Sequence, residues 1–372
     1  MLRLLTLCVL ICIGIEALNV ENLLKSSNSE LDNLNGVPEG TKKTLRLAKQ
    51  VYLNLNKSHE HDFKQFFTFV HRHKREYADE STLKSRFSKF QLNLRHIDQL
   101  NKEDNLATYG VTKFSDLSSE EFIKQATGNI LGDKSSHSSS DELTSVKGDY
   151  NYPKNFDWRT DRGFQPIVMD QGLCDSSHVF TVIAIAEGSY FRTYNVSVKF
   201  SEQQVLSCME NEGCSGNTIE NSLKNILDEG VDYADDYPYT NWDSPTTQAC
   251  IKDKAQYGVI NIYRVLRDQP EEQIKQWLYW NSPIAVIIDA KLIQHYKKGI
   301  IGIKQPYDCS MVNHGAVIMG YGENEPGVPY WTLKNSYGTN WGEGGYFRIV
   351  RNQSTLQVNC QAAYAATSKG RN

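Results

Sequence analysis

The spacing of apolar residues changes along the chain, and the change divides it. Phe63, Phe66, Phe67, Phe69 and Val70 recur three and four apart. Leu83, Phe87, Phe90, Leu94 and Ile97 repeat that spacing, the stripe of a helix with one apolar face. Residues 61–126 therefore read as a helical block. Residues 179–194 form a long apolar-rich run without proline, and 218–228 a second helix candidate ended by Gly230. Further on the pattern shortens. Residues 284–288, 315–321, 330–333 and 346–350 are β-branched and aromatic runs bounded by Gly, Asn or Pro, the pattern of strands. Helices early and strands late predict the α+β class, with a helical lobe beside a sheet lobe.

The segments outside these runs add organisation. Arg3 precedes an apolar run over residues 4–15, and Ala17 supplies a small residue after it. Residues 1–17 thus read as a secretory leader, since the run is shorter than the roughly 20 residues of a membrane span. Residues 18–60 are polar and mixed and read as an N-terminal extension. Residues 128–151, with five serines between 135 and 140, read as a flexible linker between a proregion at 61–127 and a main domain at 152–372.

The net charge of −4 is spread along the chain, with no basic stripe. Nucleic acid and membrane surfaces are therefore not expected partners. An exported chain makes Asn56, Asn195 and Asn352, each opening an Asn-x-Ser triplet, candidate glycosylation sites. Of eight cysteines, Cys8 and Cys12 leave with the leader. The remaining six, an even number in an oxidising compartment, point to three disulfides whose connectivity the count leaves open. No His/Cys cluster then keeps metal spacing and no phosphate loop is present, so neither metal nor cofactor is expected.

Three segments carry candidate chemistry: Gln171-Gly-Leu-Cys174-Asp-Ser-Ser177-His-Val-Phe180, Asn313-His314-Gly-Ala-Val-Ile-Met-Gly-Tyr-Gly322, and Asn335-Ser-Tyr-Gly-Thr-Asn-Trp341. In this order they resemble the active-site segments of papain and the cathepsins, whose histidine and asparagine lie roughly 130–150 residues after the nucleophile. His314 falls inside that window and Asn335 slightly beyond it. The proregion is similar too. Arg86, Phe90, Asn93, Ile97 and Asn101 follow the family's pro-helix spacing, with Thr82 where the family has Glu. Gly110-Val-Thr-Lys-Phe114-Ser-Asp116 resembles the short motif that follows, with Thr112 in place of Asn.

The resemblance implies a two-lobed papain-like fold, a helical lobe plus a β-barrel-like lobe, behind an inhibitory proregion. It implies disulfides Cys174–Cys214, Cys208–Cys250 and Cys309–Cys360. Ser177 would stand at the nucleophile position, His314 would be the base, Asn335 would orient it, and Gln171 would line the oxyanion hole. Gly216 and Asn217 would meet the substrate backbone. Ile219, Ile287 and Val312 would line an apolar pocket. The cleft would hold an extended peptide, a protein inhibitor or another protease, and the chain's own proregion would be a further partner. The destination would be secretion or the lysosome.

Several positions depart from the family pattern. Ser177 replaces cysteine, and a hydroxyl cannot be ionised in advance by a helix N-terminus as a thiol can. Asp175 and Asn217 replace glycines, His178 replaces an aromatic residue, and Tyr337 replaces tryptophan. Asp175 is expected to oppose an oxyanion, and Asn217 to crowd the substrate backbone. The leading expectation is a homologue without peptidase activity that keeps a binding cleft. The alternative is a hydrolase with a Ser177-His314-Asn335 triad, as in the silicateins, which also carry serine there. Simpler roles stay open: Ser177 as a helix N-cap, His178 as a packed histidine, His314 and Asn335 as a non-catalytic pair, Gln171 as a partner of backbone groups.

Overall fold

The computed structural model describes residues 20–25, 27–126, 152–209, 214–241, 244, 246–251, 257–324 and 327–368. The expected leader and Ser-rich linker lie outside the described residues. The chain divides into two compact units, residues 1–96 with 115–117, and residues 97–114 with 118–372.

The first unit is helical: α1 (Val20–Lys25), α2 (Asn28–Asp32), α3 (Glu39–Leu53), α4 (Glu60–Arg72) and the first part of α5 (Glu80–Glu103). Its core is aromatic. Phe63, Phe66, Phe67 and Phe90 are fully buried, with ring centroids 4.8 Å apart for Phe63 and Phe87 and 5.4 Å apart for Phe66 and Phe90. The polar residues inside this stripe have assigned partners. Asn93 Nδ2 donates to the carbonyls of Ser115 and Leu117. Arg86 donates to the Asp116 carbonyl, and the Asp116 carboxylate accepts from Arg75 and from the Tyr77 hydroxyl. A buried chain turn is thus satisfied by side chains at helical spacing. Helix α3 was not expected in the polar extension. Its apolar face, Leu45, Ala48 and Val51, is short and shares its burial with Thr41 and Thr44, which dilutes the pattern.

The second unit begins with the end of α5. The helical reading of 61–126 fails after Glu103. Asp104 Oδ1 accepts from the N–H groups of Leu106 and Ala107, turning the chain into strand β1 (Ala107–Tyr109) before α6 (Ser119–Ala126). There follow β2 (Phe156–Asp157), α7 (Trp158–Asp161), α8 (Ser177–Tyr194), α9 (Glu202–Cys208), α10 (Ile219–Glu229), β3 (Ile262–Arg267), α11 (Glu271–Trp280), β4 (Ile284–Ile288), β5 (Tyr296–Ile301), β6 (His314–Glu323), β7 (Pro329–Lys334), β8 (Tyr346–Val350) and β9 (Gln361–Ala366).

The strands order as β1-β5-β8-β7-β6-β4-β9-β3, with β2 beside β6. This is the expected α+β arrangement, with helices early in the chain and strands late. Helix α8 is apolar nearly all round and buried from Ser177 to Ser189, as a central helix must be. Gly188 admits the Pro283 ring, which lies 2.5 Å from where a Cβ would stand. The Ala-rich β9 has the composition of a helix. It pairs along its length with β3, and two of its alanines oppose Ala285 and Val286 of β4. Sulfur bonds join Cys174 to Cys214, Cys208 to Cys250 and Cys309 to Cys360.

Candidate active site

The candidate residues meet where the first turn of α8 faces the start of β6. Ser177 is the first helical residue of α8. The cap position belongs to Ser176, which makes no side-chain cap hydrogen bond, so the reading of Ser177 as N-cap does not hold. Ser177 Oγ instead accepts from the backbone N–H of Gly315, at 3.2 Å. Gly315 makes this approach possible: a Cβ there would lie 2.6 Å from Thr181 Oγ1 and 3.0 Å from the Ser177 carbonyl oxygen.

His314 opens β6, and Asn335 follows the last residue of β7, its antiparallel neighbour. Asn335 Oδ1 accepts from the N–H of Ser336 at 2.8 Å and lies 2.8 Å from His314 Nε2. An amide oxygen only accepts, so Nε2 carries the proton and Nδ1 keeps its lone pair. Complete burial pushes the imidazole pKa down to about 4, against a smaller raising influence from Asn335. The ring therefore stays neutral. It stacks on Tyr337 with centroids 4.9 Å apart, and the Tyr337 hydroxyl lies 3.5 Å from Nδ1. No hydrogen bond joins Ser177 Oγ to His314.

Gln171 is fixed at both ends of its amide. Nε2 donates to the Cys174 carbonyl at 3.1 Å, and Oε1 accepts from the Ser336 hydroxyl at 2.6 Å. The backbone N–H of Asp175 donates to the Cys214 carbonyl. Asp175 Oδ1 is buried without a partner, and burial raises the carboxyl pKa to about 7. His178 is a packed histidine. Its Nδ1 lies 2.8 Å from Ser222 Oγ, and burial pushes its pKa down to about 3. Gly216 has φ +86°. Asn217 Oδ1 accepts from Thr218 N–H and from Asn221 Nδ2. Its side chain holds the first turn of α10. Ile219, Ile287 and Val312 are buried, and Ile287 pairs with Gly315 across β4 and β6.

A cavity of about 410 Å³, lined among others by Asp157, Arg159, Tyr330, Glu343, Tyr346 and Arg348, includes none of these residues. Its arginines are already paired with Asp157 and Glu343.

The family model described as papain family cysteine protease matches residues 152–368. The chain belongs to the papain family. A second model, the cathepsin propeptide inhibitor domain, matches residues 66–122. The viral cathepsin of Adoxophyes honmai nucleopolyhedrovirus is 34% identical over 82% of this chain and 92% of its own length. Cathepsin F of Drosophila melanogaster is 32% identical over 83% of this chain and 52% of its own length. Among solved structures, digestive procathepsin L 3 of Tenebrio molitor larval midgut superposes with a TM-score of 0.71 at 27% identity, covering 82% of this chain and 99% of that one.

Part of the propeptide lies within the second unit, against the papain-family domain. Strand β1 pairs antiparallel with β5. Gly110 N–H donates to the His295 carbonyl, Thr112 Oγ1 to the Gln294 carbonyl, and Gln294 Nε2 to the Phe114 carbonyl. Phe114 meets Tyr337 edge-on at 4.9 Å, and Lys113 forms an ion pair with Asp170. The sequence motifs named Phe114 and Tyr337 but did not pair them, and nothing marked Asp170. These contacts join residues far apart in the chain, so no local pattern reveals them.

Proposed function

We propose that this papain-family homologue carries Ser177 where its relatives carry the nucleophilic cysteine, and that it binds peptide or protein segments rather than cleaving them. The observation that carries the reading is the hydrogen bonding of Ser177: its Oγ accepts from Gly315 N–H and is not held by His314. A hydroxyl needs its proton removed during attack, so a serine without a bonded base is a weak nucleophile. The nearest cysteine in sequence, Cys174, is locked in a disulfide and supplies no substitute. Asp175 adds a carboxyl group beside the same turn.

The organisation proposed with this function is a leader at 1–17, an extension at 18–60, a proregion at 61–127, a linker at 128–151 and the binding domain at 152–372. No helix among the described residues is long and apolar enough to cross a membrane. The secretory route is supported by the leader pattern and the three disulfides. Glycans are proposed at Asn56, Asn195 and Asn352, all exposed.

A second reading, a serine-nucleophile hydrolase, is favoured by one feature: His314 is neutral and already in the tautomer a serine nucleophile needs. The deciding measurement is hydrolysis of a peptide library and of small esters by the purified chain, before and after cleavage in the linker, with Ser177→Ala as control. Peptide cleavage that Ser177→Ala abolishes refutes the binding role. Ester cleavage alone, lost in that variant, establishes the second reading.

A further inference from the structure

Asp170 stands beside Tyr337, held there by backbone pairing. The two residues form an isolated antiparallel backbone bridge. Gly172 N–H donates to Asp170 Oδ1 at 3.0 Å and so orients the carboxylate. Gly338, with φ +78°, leaves room for it: a Cβ there would stand 3.0 Å from Asp170 Oδ2. Against this prepared surface lies Lys113, its ammonium 2.7 and 2.6 Å from the two carboxylate oxygens. The same ammonium sits 5.0 Å from the Phe114 ring centroid and 5.7 Å from that of Tyr337. The Phe114 ring in turn packs edge-on against Tyr337, which itself stacks on His314.

We propose that Asp170 and Tyr337 form a subsite for a basic side chain, and that the partner of this domain presents a lysine followed by an aromatic residue, as Lys113 and Phe114 do in the chain's own propeptide. The proposal rests on the binding role given above and names the chemistry of its ligand. A carboxylate paired with an aromatic face attracts a cation through both charge and ring quadrupole, and the neighbouring ring adds apolar contact. Among the described residues, Lys113 is the cation paired with Asp170. Withdrawal of the propeptide segment leaves an oriented carboxylate facing solvent beside a tyrosine.

The test uses the full-length chain carrying Lys113→Ala and Phe114→Ala, which removes both side chains from the subsite while Gly110 and Thr112 keep the backbone in place. The probe is a fluorescent Lys-Phe dipeptide amide, able to enter the two vacated side-chain spaces, compared with its Gln-Phe form at low salt. The lysine peptide is expected to bind about tenfold more tightly, and the preference to vanish when Asp170→Asn is added. Equal affinity of the two peptides, a preference that survives Asp170→Asn, or binding of neither overturns the proposal.

Should the double variant fail to fold, Asp170→Asn alone in the otherwise native chain provides the second measurement. Amide hydrogen exchange at residues 112–114 is expected to rise about tenfold, and unchanged exchange overturns the proposal. Mass spectrometry of the probe after incubation separates the two hypotheses. Cleavage refutes the non-peptidase role without touching the subsite, whereas equal binding without cleavage refutes the subsite alone.

Discussion

The backbone N–H of Gly315 donates to Ser177 Oγ across 3.2 Å. That bond ties the first turn of α8 to the second residue of β6. It exists only because residue 315 has no side chain, since a Cβ there would meet both Thr181 Oγ1 and the Ser177 carbonyl oxygen. It also marks what Ser177 does in this form: it joins helix to sheet.

Gly315→Ala is therefore expected to force β6 away from α8 and to cost about 1–3 kcal/mol of stability, as overpacking does. Denaturant unfolding of the full chain measures it. Wild-type stability in the variant would mean that the two backbones separate without strain.

Ser177→Cys places a thiol at the N-terminus of α8, where the helix dipole lowers its pKa. His314 offers little further help while burial keeps it neutral, and the Asp175 carboxyl lies two residues away. The thiol is expected to react with small alkylating agents while peptide turnover stays slight. Adding Asp175→Gly should raise turnover by more than the single variants suggest, because the positions share one site. Asn217→Gly is not a useful addition: that side chain bonds the first turn of α10, and its loss weakens the helix. Full activity from Ser177→Cys alone would show that the surrounding substitutions are neutral.

Much of this arrangement was legible in the chain. The apolar stripe of α5, the run that becomes α8, Gly230 after α10 and four of the strands follow directly from residue spacing. The unrecognised elements had compensations that spacing does not show. Strand β9 is built from alanines suited to a helix and depends on its neighbours β3 and β4. Helix α3 mixes threonines into its buried face. At the site, the family motifs named Ser177, His314, Asn335 and Gln171, but not what each would touch. The Gly315 bond, the Tyr337 hydroxyl beside His314 and the Asp170–Lys113 pair all arise from distant segments brought together.

Asn93 shows how a polar residue in an apolar stripe is tested. Its amide satisfies the Ser115 and Leu117 carbonyls from a position only 8% exposed. Asn93→Leu keeps the stripe apolar but strands both carbonyls. A loss of about 2 kcal/mol or more is expected, read as destabilisation of the first unit by hydrogen exchange over residues 60–96. A neutral or stabilising result would show that water takes over both carbonyls.

The buried titratable groups give the fold a pH dependence with two opposing parts. His314 and His178 are pushed down to about 4 and about 3 from an ordinary 6.5. Below pH 6.5 the unfolded chain takes up protons that the folded chain refuses, so their contribution is complete above that pH and is lost as pH falls. Asp175 runs the other way. Its carboxyl is raised from 3.8 to about 7, so the folded chain keeps a proton that the unfolded chain releases. Its contribution is complete below pH 3.8 and is lost as pH rises through 7. Asp175→Asn removes this second part and leaves the histidines in place. The melting temperature of the variant is expected to exceed that of wild type at pH 8, and the difference to shrink steadily toward pH 4. Thermal unfolding of both chains across that range at constant ionic strength measures it. A difference that does not change with pH would mean that Asp175 ionises normally, with its carboxylate reached by water in the folded chain.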